Sequence, residues 1–425
     1  MNIEQLYEIY LRNPVVKTDS RKLEAGDLFF ALKGPRFNAN GFASQALKAG
    51  ASYAVIDEKE FSGNDRIIVV EDVLETLQQL AKHHRQTFNI PFLAITGTNG
   101  KTTTKELIHE VLASTYKTYT TKGNLNNQIG IPLTILGIKK DAEIAVIEMG
   151  ANHIKEIESY CRYTLPTHGL ITNCGKAHLE GFGGIEGVKK AKGELFVFLR
   201  QNNGTAFIMW DYDYLRDMSK GIPNLITYGT TEAEVTGISG QSELFLEVNM
   251  TKGVNIGTIQ TQLVGGYNLP NVLAAVSAGR CFNVADALIK SSIEGYRPSN
   301  SRSQMIEKDY NKIILDAYNA NPTSMRLAIE NFAHLHADKK VLILGSMAEL
   351  GKESLKEHEL IIELISRYTW YYVVLVGGDF TKIAHPYISF SSSSEAHEWY
   401  KQQKFTHSFQ LIKGSRSVEM EKILE

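Results

Sequence analysis

The stretch with the strongest chemical signal is AITGTNGKTTTKE, from Ala94 to Glu106. An apolar run leads into two glycines and a Lys-Thr pair, and the residues that follow can form a helix. Glycines let successive backbone N–H groups converge on an anion, and the first turn of a helix adds the positive end of its dipole. The stretch therefore predicts a strand, a phosphate-binding loop and a helix in that order.

The predicted phosphate cradle is one continuous run of residues. It consists of Gly97, Thr98, Asn99, Gly100, Lys101, Thr102 and Thr103. Lys101 can neutralise phosphate oxygens, and the hydroxyl of Thr102 can reach Mg²⁺. The full pattern G-x-x-x-x-G-K-[ST] needs a glycine where this chain has Ile95, so the motif is a shortened variant. The alternative is a glycine-rich turn that merely precedes a helix.

Two candidate metal ligands follow predicted strands. Glu148 ends the apolar run EIAVIE, and His178 comes just after the run HGLITN. Open α/β sheets bind ligands beyond the carboxyl ends of their strands, and carboxylates are common ligands of Mg²⁺. The alternatives are a Glu148 that faces solvent at the end of its strand and a His178 that is purely structural. Lys192 lies in a run with Lys189 and Lys190, and the spacing alone does not choose among these lysines.

Composition indicates a globular protein of several domains. The chain has 425 residues, of which 43% are hydrophobic and 22% charged, and we predict three domains. A net charge of −2 gives no basic field, so we predict no nucleic-acid partner. The three cysteines show no disulfide or zinc spacing. Because the sequence has neither a signal peptide nor an apolar stretch of membrane-spanning length, we predict a cytoplasmic protein without membrane insertion.

The order of strand-like and helical runs predicts an α/β fold in three domains. Residues 1–85 contain the strand runs DLFFAL, YAVID and RIIVV between helical runs, which is typical of a small α/β domain. Residues 86–297 contain IPFLAIT, EIAVIEM and HGLITN, which predict a buried parallel sheet. The runs TAFIMW, EVTGIS and ELFLEVNM in the same domain are predicted to form an antiparallel extension. Residues 298–425 predict a Rossmann-like third domain, in which Pro322 begins a helix.

Six segments carry a family resemblance through their order along the chain. They are GTNGKTTTKE, GNLNNQIGIPLTIL, EMGANHIKEIE, TNCGKAHLEGFGGIEGVKKAKGELF, YNLPNVLAA and DAYNANPTSM. Together they resemble the Mur ligases of peptidoglycan synthesis over nearly the whole chain. Within that family the chain is similar to the members that join D-Ala-D-Ala to UDP-N-acetylmuramoyl-tripeptide. The resemblance implies an ATP-dependent amide ligase in which domain 1–85 binds the UDP substrate, domain 86–297 binds ATP and domain 298–425 closes over both.

The resemblance also implies roles for individual residues. Lys101 and Arg302 would act on the phosphates, while Thr102 and Glu148 would hold a first Mg²⁺ ion. His178 and a carbamylated Lys192 would hold a second Mg²⁺ ion. The nucleotide would be flanked by Asn271, Arg302, Asp316, Asn319 and Asn321, and the UDP substrate by Ser20, Arg21, Asn126, Asn127 and Gln128.

Several alternatives stay open at this point. Asn319 or Asn321 could cap the helix that Pro322 begins, and Arg302 could be a surface arginine of a linker. The chain has Asn38-Ala39-Asn40 and Tyr267 where the family often has Asp-Gly-His and His, which leaves their contacts undefined. The competing functions are another amide ligase of this group, such as a folate polyglutamylating enzyme, and a P-loop protein that uses hydrolysis as a conformational switch. We predict a monomer.

Overall fold

The N-terminal part of the protein is a small parallel sheet with helices on both faces. The computed structural model describes residues 1–35, 37–299 and 301–425. The N-terminal unit contains α1 (Ile3–Arg12), β1 (Val16–Lys17), β2 (Leu28–Phe30), β3 (Lys33–Gly34), β4 (Phe37–Asn38), α2 (Ala43–Lys48), β5 (Tyr53–Ile56), β6 (Ile67–Val69) and α3 (Val73–Gln86). Its parallel sheet has the order β1–β2–β5–β6, and β3 pairs with β4 as a short antiparallel ribbon. The small α/β unit predicted from the sequence is confirmed.

Helix α3 joins the N-terminal unit to the rest of the chain. Its buried residues Leu77 and Leu80 share one apolar core with Leu6 of α1 and with the residues that follow α3. The Arg85 guanidinium donates to the carbonyl oxygens of Thr164 and Leu165, at 2.9 and 3.0 Å. Helix α3 ends at Gln86, so the boundary that we predict at 85/86 falls in its last turn. The helix also packs against both units. Both domain boundaries stay predictions.

The central unit is built on a long, mostly parallel sheet. Its elements are β7 (Phe92–Thr96), α4 (Lys101–Ala113), β8 (Thr118–Thr120), α5 (Gly130–Leu136), β9 (Ile144–Glu148), α6 (Glu156–Thr164), β10 (His168–Ile171), α7 (Leu179–Phe182), α8 (Ile185–Gln201), β11 (Thr205–Met209), α9 (Asp213–Ser219), β12 (Asn224–Gly229), β13 (Val235–Ser239), β14 (Phe245–Lys252), β15 (Thr258–Val264), α10 (Leu269–Cys281) and α11 (Asp286–Gly295). The sheet order is β8–β9–β7–β10–β11–β12–β13–β14–β15. Neighbours pair in parallel from β8 to β13 and antiparallel from β13 to β15.

One strand prediction in this unit is wrong. The run TAFIMW forms β11, which pairs in parallel with β10 and β12 and is not part of the antiparallel extension. The helix α8 precedes β11 and provides the long crossover that a parallel connection requires. Residues 206–209 are buried on both faces of the sheet, as expected for a strand inside a parallel sheet. The extension therefore begins at β13.

The C-terminal unit is a second sheet of mostly parallel strands. It contains β16 (Gln304–Lys308), β17 (Asn311–Asp316), α12 (Pro322–His334), β18 (Lys340–Gly345), α13 (Ser354–Ser366), β19 (Tyr372–Val376), β20 (Ile388–Phe390), α14 (Ser393–Gln403) and β21 (Phe409–Lys413). The order is β16–β17–β21–β18–β19–β20, with an antiparallel pairing of β16 and β17. Apolar cores cover both faces of this sheet. The predicted α/β unit and the helix start at Pro322 are confirmed, and no helix in the described ranges has the length and apolar character needed to cross a bilayer.

Candidate active site

The loop between β7 and α4 has two positions at which the backbone conformation and the surrounding atoms favour glycine. Gly97 and Gly100 have φ angles of 141° and 78°. An added Cβ would lie 2.0 Å from Thr172 Oγ1 at Gly97 and 2.7 Å from Asn271 Oδ1 at Gly100. Helix α4 begins at Lys101 without a side-chain cap, so its first N–H groups are available to an anion. The loop thus has the geometry of the predicted phosphate cradle.

Lys101 lies directly over this loop. Its Nζ donates hydrogen bonds to the carbonyl oxygens of Gly97 and Thr98, at 2.8 and 3.0 Å. Burial lowers the pKa of Lys101, and the positive charge of Arg302 lowers it further, while the carboxylate of Glu148 opposes the shift. Lys101 and Arg302 are therefore two positively charged side chains near the same loop, and they repel each other. That arrangement favours an anionic ligand between them.

Glu148 is the most deeply buried acidic residue at this site. Its residue surface is 1% exposed, so the alternative of a solvent-facing strand end is wrong. Glu148 Oε2 accepts a hydrogen bond from Thr102 Oγ1 at 2.9 Å, and Oε1 accepts one from Asn126 Nδ2 at 2.8 Å. The Glu148 backbone N–H donates to Thr121 Oγ1. A buried carboxylate beside a threonine hydroxyl is a donor set that suits Mg²⁺.

His178 stands between the central and C-terminal units. It precedes α7, and its Nδ1 lies 2.5 Å from Glu349 Oε2, on the segment after β18. The contact holds the Glu349 carboxyl in its charged form and lowers its pKa. Within the described ranges, no three His, Cys, Asp or Glu side chains are grouped so that they could hold a metal unaided. A divalent ion here would therefore share its ligands with a bound phosphate, as Mg²⁺ commonly does.

Lys192 is buried behind the wall of the site. Its residue surface is 2% exposed, and its Nζ donates to the Ala151 carbonyl oxygen at 3.2 Å. Lys189 is partly exposed and Lys190 is exposed, so burial separates Lys192 from both. Burial lowers the pKa of Lys192 to about 7, and the charge of Lys101 contributes to the shift.

Arg302 is not a free arginine of a linker, because its guanidinium stacks on an aromatic ring. The guanidinium carbon lies 3.5 Å from the centre of the Tyr318 ring. The neighbouring Ser303 N–H donates to Asp316 Oδ1 at 3.3 Å. Lys413, at the end of β21, forms an ion pair with Asp316 Oδ2 at 2.6 Å and donates to the Asn319 carbonyl oxygen. These contacts fix the loop that carries Arg302 relative to the loop after β17.

Asn321 has two contacts, one within its own unit and one to the central unit. Its side chain accepts the N–H of Ser324 and caps α12, which confirms the capping alternative for this residue. Asn321 Nδ2 also donates to Asn99 Oδ1 of the phosphate cradle at 2.7 Å. Asn319 does not cap the helix, because its Oδ1 accepts the N–H of Ala320. The C-terminal unit thus touches the tip of the loop at Asn99.

Most of the predicted site residues line one cavity of about 910 Å³ between the central and C-terminal units. The predicted residues on its wall are Thr98, Asn99, Gly100, Lys101, Thr102, Thr103, Asn126, Asn127, Gln128, Glu148, His178, Asn271, Arg302, Asp316, Asn319 and Asn321. Gly97 and Lys192 lie behind this wall. Ser20 and Arg21 are elsewhere, in a short helical turn of the N-terminal unit where the exposed Arg21 pairs with Asp19 at 2.9 Å.

The positions that depart from the family pattern have structural partners. Asn40 is buried and exchanges two hydrogen bonds with Asp57, one to its side chain and one from its backbone. Asn38 Nδ2 donates to Glu58 Oε2. The Tyr267 hydroxyl lies 3.3 Å from Ser303 Oγ, next to Arg302. Tyr267 therefore bridges the two units at the cavity.

Sequence reasoning missed several residues that hold the site in place. Asn173 accepts the Asn99 N–H and donates to the Asn99 carbonyl oxygen, both at 3.1 Å. Asn268 accepts a hydrogen bond from Asn271, whose Oδ1 accepts one from Thr104. The sequence offered a signal for two of the missed residues. Asn173 follows an apolar strand and Lys413 ends one, at the same edge of their sheets as the predicted residues.

Comparison with known proteins identifies the class. Sequence models of the Mur ligase family match three parts of the chain: the catalytic domain matches residues 15–85, the middle domain residues 95–279 and the glutamate ligase domain residues 301–403. The chain belongs to the Mur ligase family.

Two of the similar proteins carry the same name. The UDP-N-acetylmuramoyl-tripeptide–D-alanyl-D-alanine ligase of Bacillus subtilis is 37% identical over 82% of this chain and 79% of its own length. The enzyme of that name from Escherichia coli is 34% identical over 96% of this chain and 92% of its own length. The MurF ligase of Thermotoga maritima, solved in complex with ADP, has a TM-score of 0.88 and 27% identity over 97% of both chains. Within the Mur ligases, the chain groups with these MurF enzymes.

Proposed function

We propose that this protein is an ATP-dependent ligase that joins D-Ala-D-Ala to the terminal carboxylate of UDP-N-acetylmuramoyl-tripeptide. The observation that carries the proposal is one cavity in which Lys101, Thr102 and Glu148 of the central unit face Arg302 of the C-terminal unit. The shared name of the relatives supports the substrates. The reaction belongs to the cytoplasmic stage of peptidoglycan synthesis, which gives the cellular location that we propose.

The chemistry requires that a carboxylate be activated. A free carboxylate does not react with an amine at neutral pH, because the leaving group would be oxide. Attack of the substrate carboxylate on the γ-phosphate of ATP gives an acyl phosphate and ADP. The amine of D-Ala-D-Ala then attacks the acyl carbon and gives up a proton, and phosphate leaves with the electron pair of the broken C–O bond. Phosphate is therefore released only when the amine acceptor is present.

The residues of the chain reduce the repulsion in the first step. The attacking carboxylate and the phosphates are all anions, so positioning and charge neutralisation supply most of the catalysis. Lys101 and Arg302 neutralise charge from opposite walls of the cavity. Contact between Asn321 and Asn99 brings the C-terminal unit over the loop, and this enclosure protects an acyl phosphate from water.

We propose two Mg²⁺ sites. Thr102 and Glu148 would hold the first ion, and His178 with Lys192 would hold the second. Mg²⁺ would neutralise and orient the phosphate oxygens. A lysine ammonium cannot bind a cation, but its carbamate is an anionic oxygen ligand. The low pKa of Lys192 leaves much of the amine neutral near pH 7, which is the form that reacts with carbon dioxide.

The remaining roles follow from the same proposal. Asn271, Asp316, Asn319 and Asn321 would flank the nucleotide. Asn126, Asn127 and Gln128 would line the muramoyl part of the substrate, and Ser20 with Arg21 would contact uridine. Gln128 already connects to the N-terminal unit, since its carbonyl oxygen accepts a hydrogen bond from Gln78 of α3. A monomer without a nucleic-acid partner stays our prediction, as do three domains with boundaries at 85/86 and 297/298.

A phosphate-release assay tests the function. We expect release from ATP to depend on adding both UDP-N-acetylmuramoyl-tripeptide and D-Ala-D-Ala, with formation of the joined product. Omitting either compound is the control. Steady hydrolysis that neither compound changes would contradict the ligase and favour a P-loop switch, whereas replacement of D-Ala-D-Ala by another amine acceptor would favour a different ligase of the group.

Removal of Arg302 tests the closed arrangement of the site. We expect Arg302→Ala to lower kcat by about 10²-fold while the affinity for ATP changes much less, because the arginine acts on charge that develops during transfer. Arg416→Ala is the matched control, since the Arg416 guanidinium carbon lies 5.3 Å from the centre of the same Tyr318 ring and Arg416 does not line the cavity. An unchanged kcat in Arg302→Ala would refute the role.

A further inference from the structure

A buried carboxylate of the C-terminal unit has its partner in the central unit. Glu357 lies in α13, and its side chain is only 7% exposed. Its Oε1 accepts a hydrogen bond from Lys176 Nζ at 2.6 Å. Within the described part of the chain, Lys176 is the only residue that donates a hydrogen bond to this carboxylate. A charge that is buried in one unit is thus neutralised by the other.

Lys176 reaches the C-terminal unit through its backbone as well. Its N–H donates to Thr323 Oγ1 in the first turn of α12 at 3.1 Å. The preceding Gly175 lies so close to α12 that an added Cβ would be 3.0 Å from the same oxygen. The ion pair therefore lies beside a second contact, in which the backbone of residues 175–176 meets the Thr323 side chain.

The segment that carries Lys176 also holds the phosphate cradle. At its start, Thr172 Oγ1 and Asn173 Nδ2 donate to the Asn99 carbonyl oxygen, at 2.7 and 3.1 Å. Next, the Gly175 N–H donates to Thr98 Oγ1 at 3.0 Å. Residues 172–178 therefore connect the cradle on one side to the C-terminal unit on the other.

We propose that Lys176 and Glu357 form an interdomain latch that sets the position of the C-terminal unit over the phosphate cradle. The two residues are positioning residues, because they act through residues 172–178 and the first turn of α12. Separation of the units would break the Lys176–Glu357 ion pair and return Glu357 to water. The pair therefore favours the closed arrangement, and it does so only if residues 176 and 357 carry opposite charges. The inference rests on the proposed function only in assuming that ATP binds at the cradle.

The latch predicts a specific effect on nucleotide affinity. If only a fraction of the molecules is closed, the apparent affinity for a ligand of the closed form equals its intrinsic affinity multiplied by that fraction. We expect Lys176→Glu and Glu357→Lys each to weaken binding of a non-hydrolysable ATP analogue by about tenfold. Small-angle X-ray scattering of the nucleotide-free protein should show a larger radius of gyration for each single variant.

Charge exchange is the decisive comparison. In the double variant K176E/E357K the opposite charges face each other again. The affinity should therefore return to within about threefold of the wild-type affinity, and the radius of gyration should return to the wild-type value. The matched control is E363R/R367E with its two single variants, because Glu363 and Arg367 form an exposed ion pair at the C-terminal end of α13. These control variants should leave both measurements unchanged.

Several results would overturn the latch. The latch is refuted if the losses of affinity in the two single variants add up in the double variant. It is also refuted if the single variants match the wild type in affinity and scattering. If a charge reversal prevents folding, Lys176→Met is compared in the wild-type and Glu357→Gln backgrounds, and an equal effect in both refutes the pair. Scattering and analogue binding need no turnover, so they decide the latch even where the wild-type chain fails to ligate the two proposed substrates.

Discussion

Replacement of Glu148 by glutamine is expected to lower kcat by roughly 10³-fold. Glutamine keeps the shape of the side chain and can still bond to Thr102 and Asn126. It loses the negative charge on which a divalent cation depends. The affinity for Mg²⁺ in the presence of ATP should therefore fall together with kcat, while the fold is retained.

The measurement is a Mg²⁺ titration of turnover, combined with thermal unfolding of the same samples. Glu143→Gln is the matched control, because Glu143 precedes the same strand and its exposed carboxylate accepts a surface hydrogen bond from the Lys117 N–H. A Glu148→Gln enzyme with normal turnover at low Mg²⁺ concentrations would show that Glu148 is not a metal ligand.

The apolar runs of the sequence were enough to predict most of the sheets. Buried parallel strands such as β7, β9 and β10 read as short continuous apolar runs, and each of them was predicted. The strand β11 was assigned to the wrong part of its sheet, because strand direction depends on the crossover helix rather than on the strand. The strand β12 was missed, since its polar residues and partial exposure give no clear period.

Local motifs predicted the half of the site that is contiguous in sequence. Gly97, Gly100 and Lys101 are specified by backbone requirements within a few residues, and the structure places them as expected. Contacts between the units were not predictable in this way. The pair Asn99 and Asn321 is separated by 222 residues, and only the packing of two complete units brings these side chains together.

The choice of Lys192 shows a signal that sequence reasoning left unused. The buried face of α8 comprises Val188, Ala191, Lys192, Leu195, Phe196 and Leu199. Apart from the lysine, these positions are apolar and follow the helical spacing of three and four residues. Lys192 alone among the neighbouring lysines falls on this stripe, so periodicity predicts its burial without any family comparison.

Lys192→Ala is expected to reduce kcat by about 10³-fold and to regain part of the loss when a small carboxylate such as acetate or formate is added. The added carboxylate can occupy the space of the missing side chain and supply an anionic oxygen. Truncation also opens a buried site beside Ala151 and Phe182, which gives the small anion room to bind. Lys189→Ala and Lys190→Ala are the matched controls on the same helix, and they should keep full activity.

The wild-type enzyme offers an independent test of the carbamate. Burial lowers the pKa of Lys192 to about 7, so the neutral amine dominates above this pH and the ammonium below it. Because carbon dioxide reacts with the neutral amine alone, enzyme stripped of carbon dioxide should regain activity faster at pH 8 than at pH 6 when both samples receive the same concentration of dissolved carbon dioxide. A ¹³C NMR spectrum of the folded, active enzyme prepared with ¹³C-labelled carbon dioxide should show the carbamate carbon, and its absence would refute the carbamate.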